Sequence, residues 1–81
     1  MLDADPPHFD EDWDAGDIGC GDLVIRLRFR LKAMQPLQVI RVRATDSGAR
    51  EDLPAWCRMT GETLLAHDPE QHLYYIQRGD R

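Results

Sequence analysis

Pro36 divides the middle of the chain into two apolar segments with different periodicities, and this division constrains the fold more than any other feature. After it, residues 38–45 are β-branched and partly alternating, which predicts a strand. Before it, residues 24–32 alternate between apolar and basic as a strand would, yet the apolar residues of 22–34 also recur at helical spacing. We favour the helix because this segment is rich in good helix formers. The helical stripe comprises Leu23, Val24, Leu27, Leu31 and Met34.

The remaining pattern predicts a second helix and three further strands. Pro54 fits the second helix only if its regular part starts near Asp52, with Pro54 in the first turn. The order β-α-β-α-β-β predicts an α+β fold, a two-layer α/β sandwich with two helices on one face of a four-stranded mixed sheet. These elements are a short strand near Phe9 and Trp13, a loop at 15–21, the helix at 49–60, strands at 63–67 and 72–77, and a hairpin connection at 68–71.

A chain of 81 residues has a thin core, which favours a surface site and no cofactor. We expect a flexible N-terminal tail over residues 1–8 and a single domain over 9–81. No apolar run reaches the length of a membrane span, and the acidic N-terminus does not resemble a signal peptide. We therefore expect a cytoplasmic monomer without membrane contact, in which both cysteines are reduced.

The charged residues are unevenly distributed along the chain. The net charge of −5 argues against direct nucleic-acid binding. The carboxylates of 10–14 are interpreted as a solvated acidic tail, and the histidines have no metal-ligand spacing. The middle of the chain is locally basic and is a candidate docking surface. Its basic residues are Arg26, Arg28, Arg30, Lys32, Arg41 and Arg43.

The helical interpretation of 22–34 places Ile25 and Phe29 opposite the leucine stripe, among basic residues. An exposed apolar pair with a basic rim predicts a surface for a protein partner. The alternative is that the N-terminal tail or the C-terminal segment covers the pair. The candidate docking residues are Gly21, Asp22, Ile25, Arg26, Arg28 and Phe29.

Several motifs, taken in order, resemble one protein family. An Asp-Ala pair and a short loop lead to Cys20, and later segments end a strand, begin a helix with Asp-Leu-Pro-Ala-Trp-Cys, and form two final strands. Over roughly residues 12–79 this pattern is similar to the TusA/SirA-like sulfur carriers. The sequence departs from that family at Cys20-Gly21-Asp22-Leu23, where the family has Cys-Pro-x-Pro. The matching segments are 13–20, 44–46, 52–57, 60–65 and 74–78.

The resemblance implies the two-layer fold and a helix at 22–34. It also implies that Cys20 accepts a sulfane sulfur as a persulfide, in a sulfurtransferase-type relay, and passes it to another protein. The donor would be a cysteine desulfurase or a rhodanese-type protein, and the acceptor would belong to tRNA thiolation, cofactor biosynthesis or sulfur oxidation. The alternative is a diverged, non-catalytic interaction or regulatory module of the same fold.

The position of Cys20 just before a helix suggests a route to its reactivity. Backbone N–H groups at a helix N-terminus lower the pKa of a thiol, whereas the nearby carboxylates of Asp17 and Asp22 would raise it. We expect the helix terminus to prevail. Cys57 is expected to pack inertly in the core, with a role as a secondary or resolving thiol as the alternative.

Overall fold

The computed structural model describes residues 6–80 and contains four strands and two helices in the predicted order. Both helices lie on one side of the sheet, so the two-layer prediction is confirmed. The segment 22–34 is helical, as the resemblance implied. The elements are β1 (Glu11–Gly16), α1 (Cys20–Lys32), β2 (Val39–Ala44), α2 (Ala49–Thr60), β3 (Thr63–Asp68) and β4 (Leu73–Gln77).

The order of strands in the sheet is β1-β2-β4-β3. β1 and β2 are parallel, whereas β4 is antiparallel to both of its neighbours. Two adjacent parallel strands joined by a helix have their carboxyl ends at the same edge of the sheet. The loops that follow β1 and β2 therefore lie side by side, and each leads into a helix N-terminus.

The core fills the space between the helices and one face of the sheet. The leucines of α1 are fully or almost fully buried because they recur every four residues along one face of that helix. α2 contributes Leu53 and Cys57, and the sheet contributes alternate residues of β2 and β4. The largest buried core side chains include Leu23, Leu27, Leu31, Ile40, Val42, Leu53, Tyr74 and Ile76.

The loop between β1 and α1 is shorter than the predicted 15–21. β1 continues to Gly16, which pairs with Ala44 after a register shift and has a φ of 62°. That left-handed conformation suits glycine and turns the chain away from the sheet. α1 already begins at Cys20, and it ends at Lys32 rather than at residue 34. Gly16 and Gly19 therefore lie at the two ends of a sharp turn and not in a long loop.

Pro54 lies well inside α2, so the expectation of a regular helix starting near Asp52 was wrong. The helix begins at Ala49, because the Ala49 N–H donates to the Asp46 carbonyl and Ala49 itself is completely buried. Pro54 has no N–H to donate to the carbonyl of Arg50, one turn earlier. Burial of the first turn against the core thus outweighs the cost of an interior proline.

The carboxylates near the N-terminus are not a solvated tail, which corrects the prediction. Asp12 and Asp14 belong to β1 and pair in register with Arg41 and Arg43 of β2. The closest N···O distances are 2.8 Å for Asp12–Arg41 and 3.4 Å for Asp14–Arg43. Asp10 accepts a hydrogen bond from the Val39 N–H at 2.9 Å, which lowers the pKa of that carboxyl.

These pairs also divide the basic segment that was predicted to form one docking surface. Arg41 and Arg43 alternate along β2 with the core residues Ile40 and Val42, so they lie on the sheet face opposite the helices. The basic residues of α1 lie in the other layer. The predicted single surface therefore reduces to the part on α1.

Residues 1–5 and 81 lie outside the described part of the chain. The flexible tail over 1–8 and the single domain over 9–81 thus stay predictions. Within residues 6–80, neither helix is long and apolar enough to cross a membrane.

Candidate functional site

Cys20 is the first residue of α1 and follows the turn that ends β1. Gly19 caps the helix with extended backbone (φ −66°, ψ 155°), and its carbonyl accepts the Leu23 N–H at 2.8 Å. The Cys20 side chain is partly buried and packs against the edge of the core. The helix start thus holds the thiol at the sheet edge where β1 and β2 both end.

Asp46, in the loop after β2, is the direct partner of the thiol. The Cys20 Sγ donates a hydrogen bond to the Asp46 Oδ2 at 2.9 Å. The Gly48 N–H donates to the same oxygen at 3.1 Å, which fixes the carboxylate in a short turn before α2. The parallel arrangement of β1 and β2 brings these two loops together.

Gly48 leaves the space that the thiol occupies. A Cβ at this position would lie 3.0 Å from the Cys20 Sγ and 3.2 Å from the Asp46 Oδ2. The backbone there has a φ of −78°, which any residue can adopt. A side chain at position 48 would therefore have to displace the thiol or the carboxylate by a few tenths of an ångström, and the backbone conformation adds no constraint of its own.

The environment of Cys20 raises the pKa of the thiol from 9.0 to about 12. The hydrogen bond to Asp46 contributes most, followed by partial burial and by Asp52. A carboxylate that accepts the S–H bond stabilises the protonated thiol and repels the thiolate. The predicted lowering by the helix terminus is thus wrong for the isolated chain, and the acidic neighbours that matter are not Asp17 and Asp22.

Cys57 is placed differently. It is 2% exposed on the inner face of α2, and both cysteines are free. Burial, and then the charge of Glu62, raise the pKa of its thiol to about 11. This environment suits a packing residue, and a secondary role for Cys57 stays a prediction.

All six candidate docking residues are exposed on α1. Ile25 is 56% exposed and Phe29 is 67% exposed, so no part of residues 6–80 covers this pair. Gly21 and Asp22 connect the apolar pair to the thiol along the helix surface. We call this set the α1 face; it comprises Gly21, Asp22, Ile25, Arg26, Arg28 and Phe29.

Comparison with known proteins identifies the family. The sequence model described as Sulfurtransferase TusA matches residues 13–78, most of the chain. The chain belongs to the TusA family. It is 32% identical over 68 residues to a putative sulfur carrier protein, YrkI, of Bacillus subtilis, covering 82% of this chain and 91% of that protein. It is 36% identical over 62 residues to the sulfur carrier protein TusA of Allochromatium vinosum, covering 76% of this chain and 82% of that one.

Three residues around the Cys20 thiol were not assigned to the site by the sequence analysis. Asp46, Gly48 and Asp52 lie in a segment that leads from a strand into a helix, where their residue types are typical of a turn and a helix start. The signal that could have found them was the βαβ unit itself, because residues after two adjacent parallel strands share an edge of the sheet. The exact partner of Cys20 also depends on strand register, which the sequence pattern did not provide.

Proposed function

We propose that this TusA-family chain is a sulfur carrier in which Cys20 accepts a sulfane sulfur as a persulfide and transfers it to an acceptor protein. The observation that carries the proposal is the position of Cys20, partly exposed at the first residue of α1 and at the end of β1. The names of the two relatives, a putative sulfur carrier protein and a sulfur carrier protein, agree with it.

The transfer requires no external oxidant. The Cys20 sulfur attacks the outer sulfur of a persulfide on the donor, the S–S bond of the donor breaks, and a new S–S bond forms on Cys20. The proton lost from Cys20 is balanced by the proton that the departing donor thiolate takes up. A thiol of the acceptor then attacks the outer sulfur of the Cys20 persulfide, and breakage of that S–S bond regenerates the Cys20 thiol.

The protonated thiol of the isolated chain has a consequence for this step. A thiolate is the nucleophile, and a pKa of about 12 leaves very little of it near neutral pH. We therefore propose that the docked donor supplies cationic or hydrogen-bonding groups that compete with Cys20 for Asp46 and Asp52. Sulfur transfer is then coupled to recognition of the correct partner.

The α1 face is the docking surface in this proposal, and its occupant is the sulfur donor, a cysteine desulfurase or a rhodanese-type protein. Ile25 and Phe29 would enter an apolar depression of the donor. The flanking Arg26 and Arg28 would pair with carboxylates around that depression. The α1 face continues to Cys20, so one partner can contact the apolar pair and the thiol together.

The experiment that tests the function is mass spectrometry after incubation with cysteine and a cysteine desulfurase. We expect the gain of one labile sulfur atom on Cys20, its absence in Cys20→Ser, and its presence in Cys57→Ala. Uptake that persists in Cys20→Ser would show that another residue carries the sulfur.

The second candidate is a non-catalytic interaction module, which is favoured by the raised pKa of Cys20 and by the absence of the family's two motif prolines. It predicts no uptake from either a desulfurase or a rhodanese. The rate of alkylation does not separate the two candidates, because the thiol is protonated in the isolated chain in both.

A further inference from the structure

A cavity lined mainly by polar and charged residues lies beside the thiol site, where β2 ends and the β3–β4 hairpin turns. Its volume is about 210 Å³. Asp46 links the two sites, because it both contacts Cys20 and lines this cavity. The lining residues that matter here are Thr45, Asp46, Ser47, Arg50, His67 and His72.

Three nitrogen-bearing side chains of this cavity have no hydrogen-bond or ion-pair partner within residues 6–80. Arg50 lies on the exposed side of the first turn of α2, and His72 ends the hairpin turn. His67 stacks on the Tyr74 ring with a centroid distance of 4.2 Å, and its buried Nε2 atom accepts and donates nothing. Burial, followed by the positive charge of Arg50, lowers the pKa of His67, and His72 acts in the same direction.

The nearby carboxylates of Asp46 and Asp68 keep their negative charge, and Asp68 acts on the pKa of His67 in the opposite direction to Arg50, but both accept hydrogen bonds within their own turns. Asp46 Oδ2 already accepts the Cys20 S–H and the Gly48 N–H. Asp68 Oδ1 accepts the backbone N–H groups of Glu70 and Gln71 at 3.1 and 3.2 Å. Within residues 6–80 neither carboxylate accepts a hydrogen bond from Arg50, His67 or His72, so the N–H groups of these side chains remain available to a ligand.

We propose that this cavity binds a small oxyanion of sulfur or phosphorus, held by the Arg50 guanidinium, by the imidazoles of His67 and His72, and by the hydroxyls of Thr45 and Ser47. A charged guanidinium and neutral N–H and O–H donors match the acceptor oxygens of such an ion. The volume is below the range of about 300–1,000 Å³ of sites for drug-sized ligands. The bound ion would lie next to the carboxylate that contacts Cys20.

This inference concerns binding and is independent of sulfur transfer, so it is tested in the Cys20→Ser chain, which lacks the thiol next to the cavity. Sulfate and phosphate are titrated separately at constant ionic strength, with chloride as the compensating salt, and amide and imidazole NMR shifts are followed. We expect saturable shifts confined to residues 45–50 and 67–74. A preference for sulfate or for phosphate would identify the source of the ion, and equal affinity would indicate a general oxyanion site.

Matched variants separate a site from general charge attraction. Arg50→Gln should weaken binding about tenfold or more, since it removes a charge-assisted hydrogen bond. His72→Asn should weaken it as well, and asparagine tolerates the positive φ of 59° at that position. Arg58→Gln removes the same charge from the last turn of α2 and should leave the affinity unchanged. Equal losses in Arg50→Gln and Arg58→Gln, or shifts that do not saturate, would overturn the proposal.

Discussion

At the scale of single residues, the chemistry of Cys20 depends on a carboxylate 26 positions away in the sequence. The S–H bond to Asp46 keeps the thiol protonated, and Gly48 allows the sulfur to approach closely enough to form it. In isolation the site is therefore an unreactive thiol. Protonation suits a carrier that must not react with small molecules between two protein encounters.

Removing the charge of Asp46 should activate the thiol. In Asp46→Asn the amide oxygen still accepts the Gly48 N–H, so the turn persists, but the negative charge beside Cys20 is lost. We expect the pKa of Cys20 to fall by at least one unit, which raises the thiolate fraction near neutral pH about tenfold. The rate of alkylation by iodoacetamide, followed across a range of pH, measures both quantities.

The matched control is Asp22→Asn, which removes a carboxylate from the first turn of α1 that does not face the thiol. Its alkylation profile should equal that of the unmodified chain. Equal acceleration in the two variants would mean that general charge, and not the Asp46 contact, determines the reactivity of Cys20.

At the scale of elements, α1 has a buried face and an exposed apolar face on opposite sides. Leu23, Leu27 and Leu31 bind it to the core, while Ile25 and Phe29 remain exposed. The sequence predicted both faces, because helical spacing is local information. The sequence could not show that Asp12 and Asp14 pair with basic residues of β2, since that pairing depends on which strands become neighbours.

The exposed face of α1 can be tested by polar substitution. Ile25→Ser and Phe29→Ser should each slow sulfur uptake from a cysteine desulfurase several-fold, because apolar contacts near the centre of an interface contribute most of its binding energy. The free energy of unfolding should change by no more than about 0.5 kcal/mol, since both side chains are exposed. The initial rate of mass gain measures the first effect and urea unfolding measures the second.

Met59→Ser is the control for this face. Met59 is 80% exposed on α2 and lies outside the α1 face, so its substitution removes exposed apolar surface elsewhere. Uptake should continue at the unmodified rate. If Met59→Ser slows uptake as much as Phe29→Ser, the docking surface is not the one proposed.

At the scale of the whole molecule, the sequence predicted the two layers but not the order of the strands within the sheet. Periodicity and turn residues predicted the element order, once helix propensity and the family resemblance had decided between strand and helix for 22–34. The strand order β1-β2-β4-β3 arises from long-range pairing. That order determines the site, because only adjacent, parallel β1 and β2 bring Cys20 to Asp46. The position of Cys20 at the start of a helix was therefore predictable, whereas its hydrogen bond to Asp46 was not.

The raised pKa values of the two thiols also predict how the whole fold responds to alkali. Cys20 has a pKa of about 12 in the folded chain and 9.0 when unperturbed, and Cys57 has a pKa of about 11. Above about pH 9 the unfolded chain therefore binds fewer protons than the folded one. The stabilisation is fully present below that pH and is lost progressively as the pH rises through the folded-state pKa values.

We expect the urea midpoint to fall between about pH 9 and pH 12, and to fall less steeply in Cys20→Ser, which retains the contributions of Cys57 and of Tyr74, whose pKa burial also raises. The hydroxyl of serine can still donate to Asp46 and does not ionise in this range, so the variant separates ionisation from loss of the contact. Parallel pH profiles for the two proteins would show that Cys20 has the same pKa folded and unfolded. The Asp46 contact would then not hold the proton on the thiol, and donor docking would not be needed to release it.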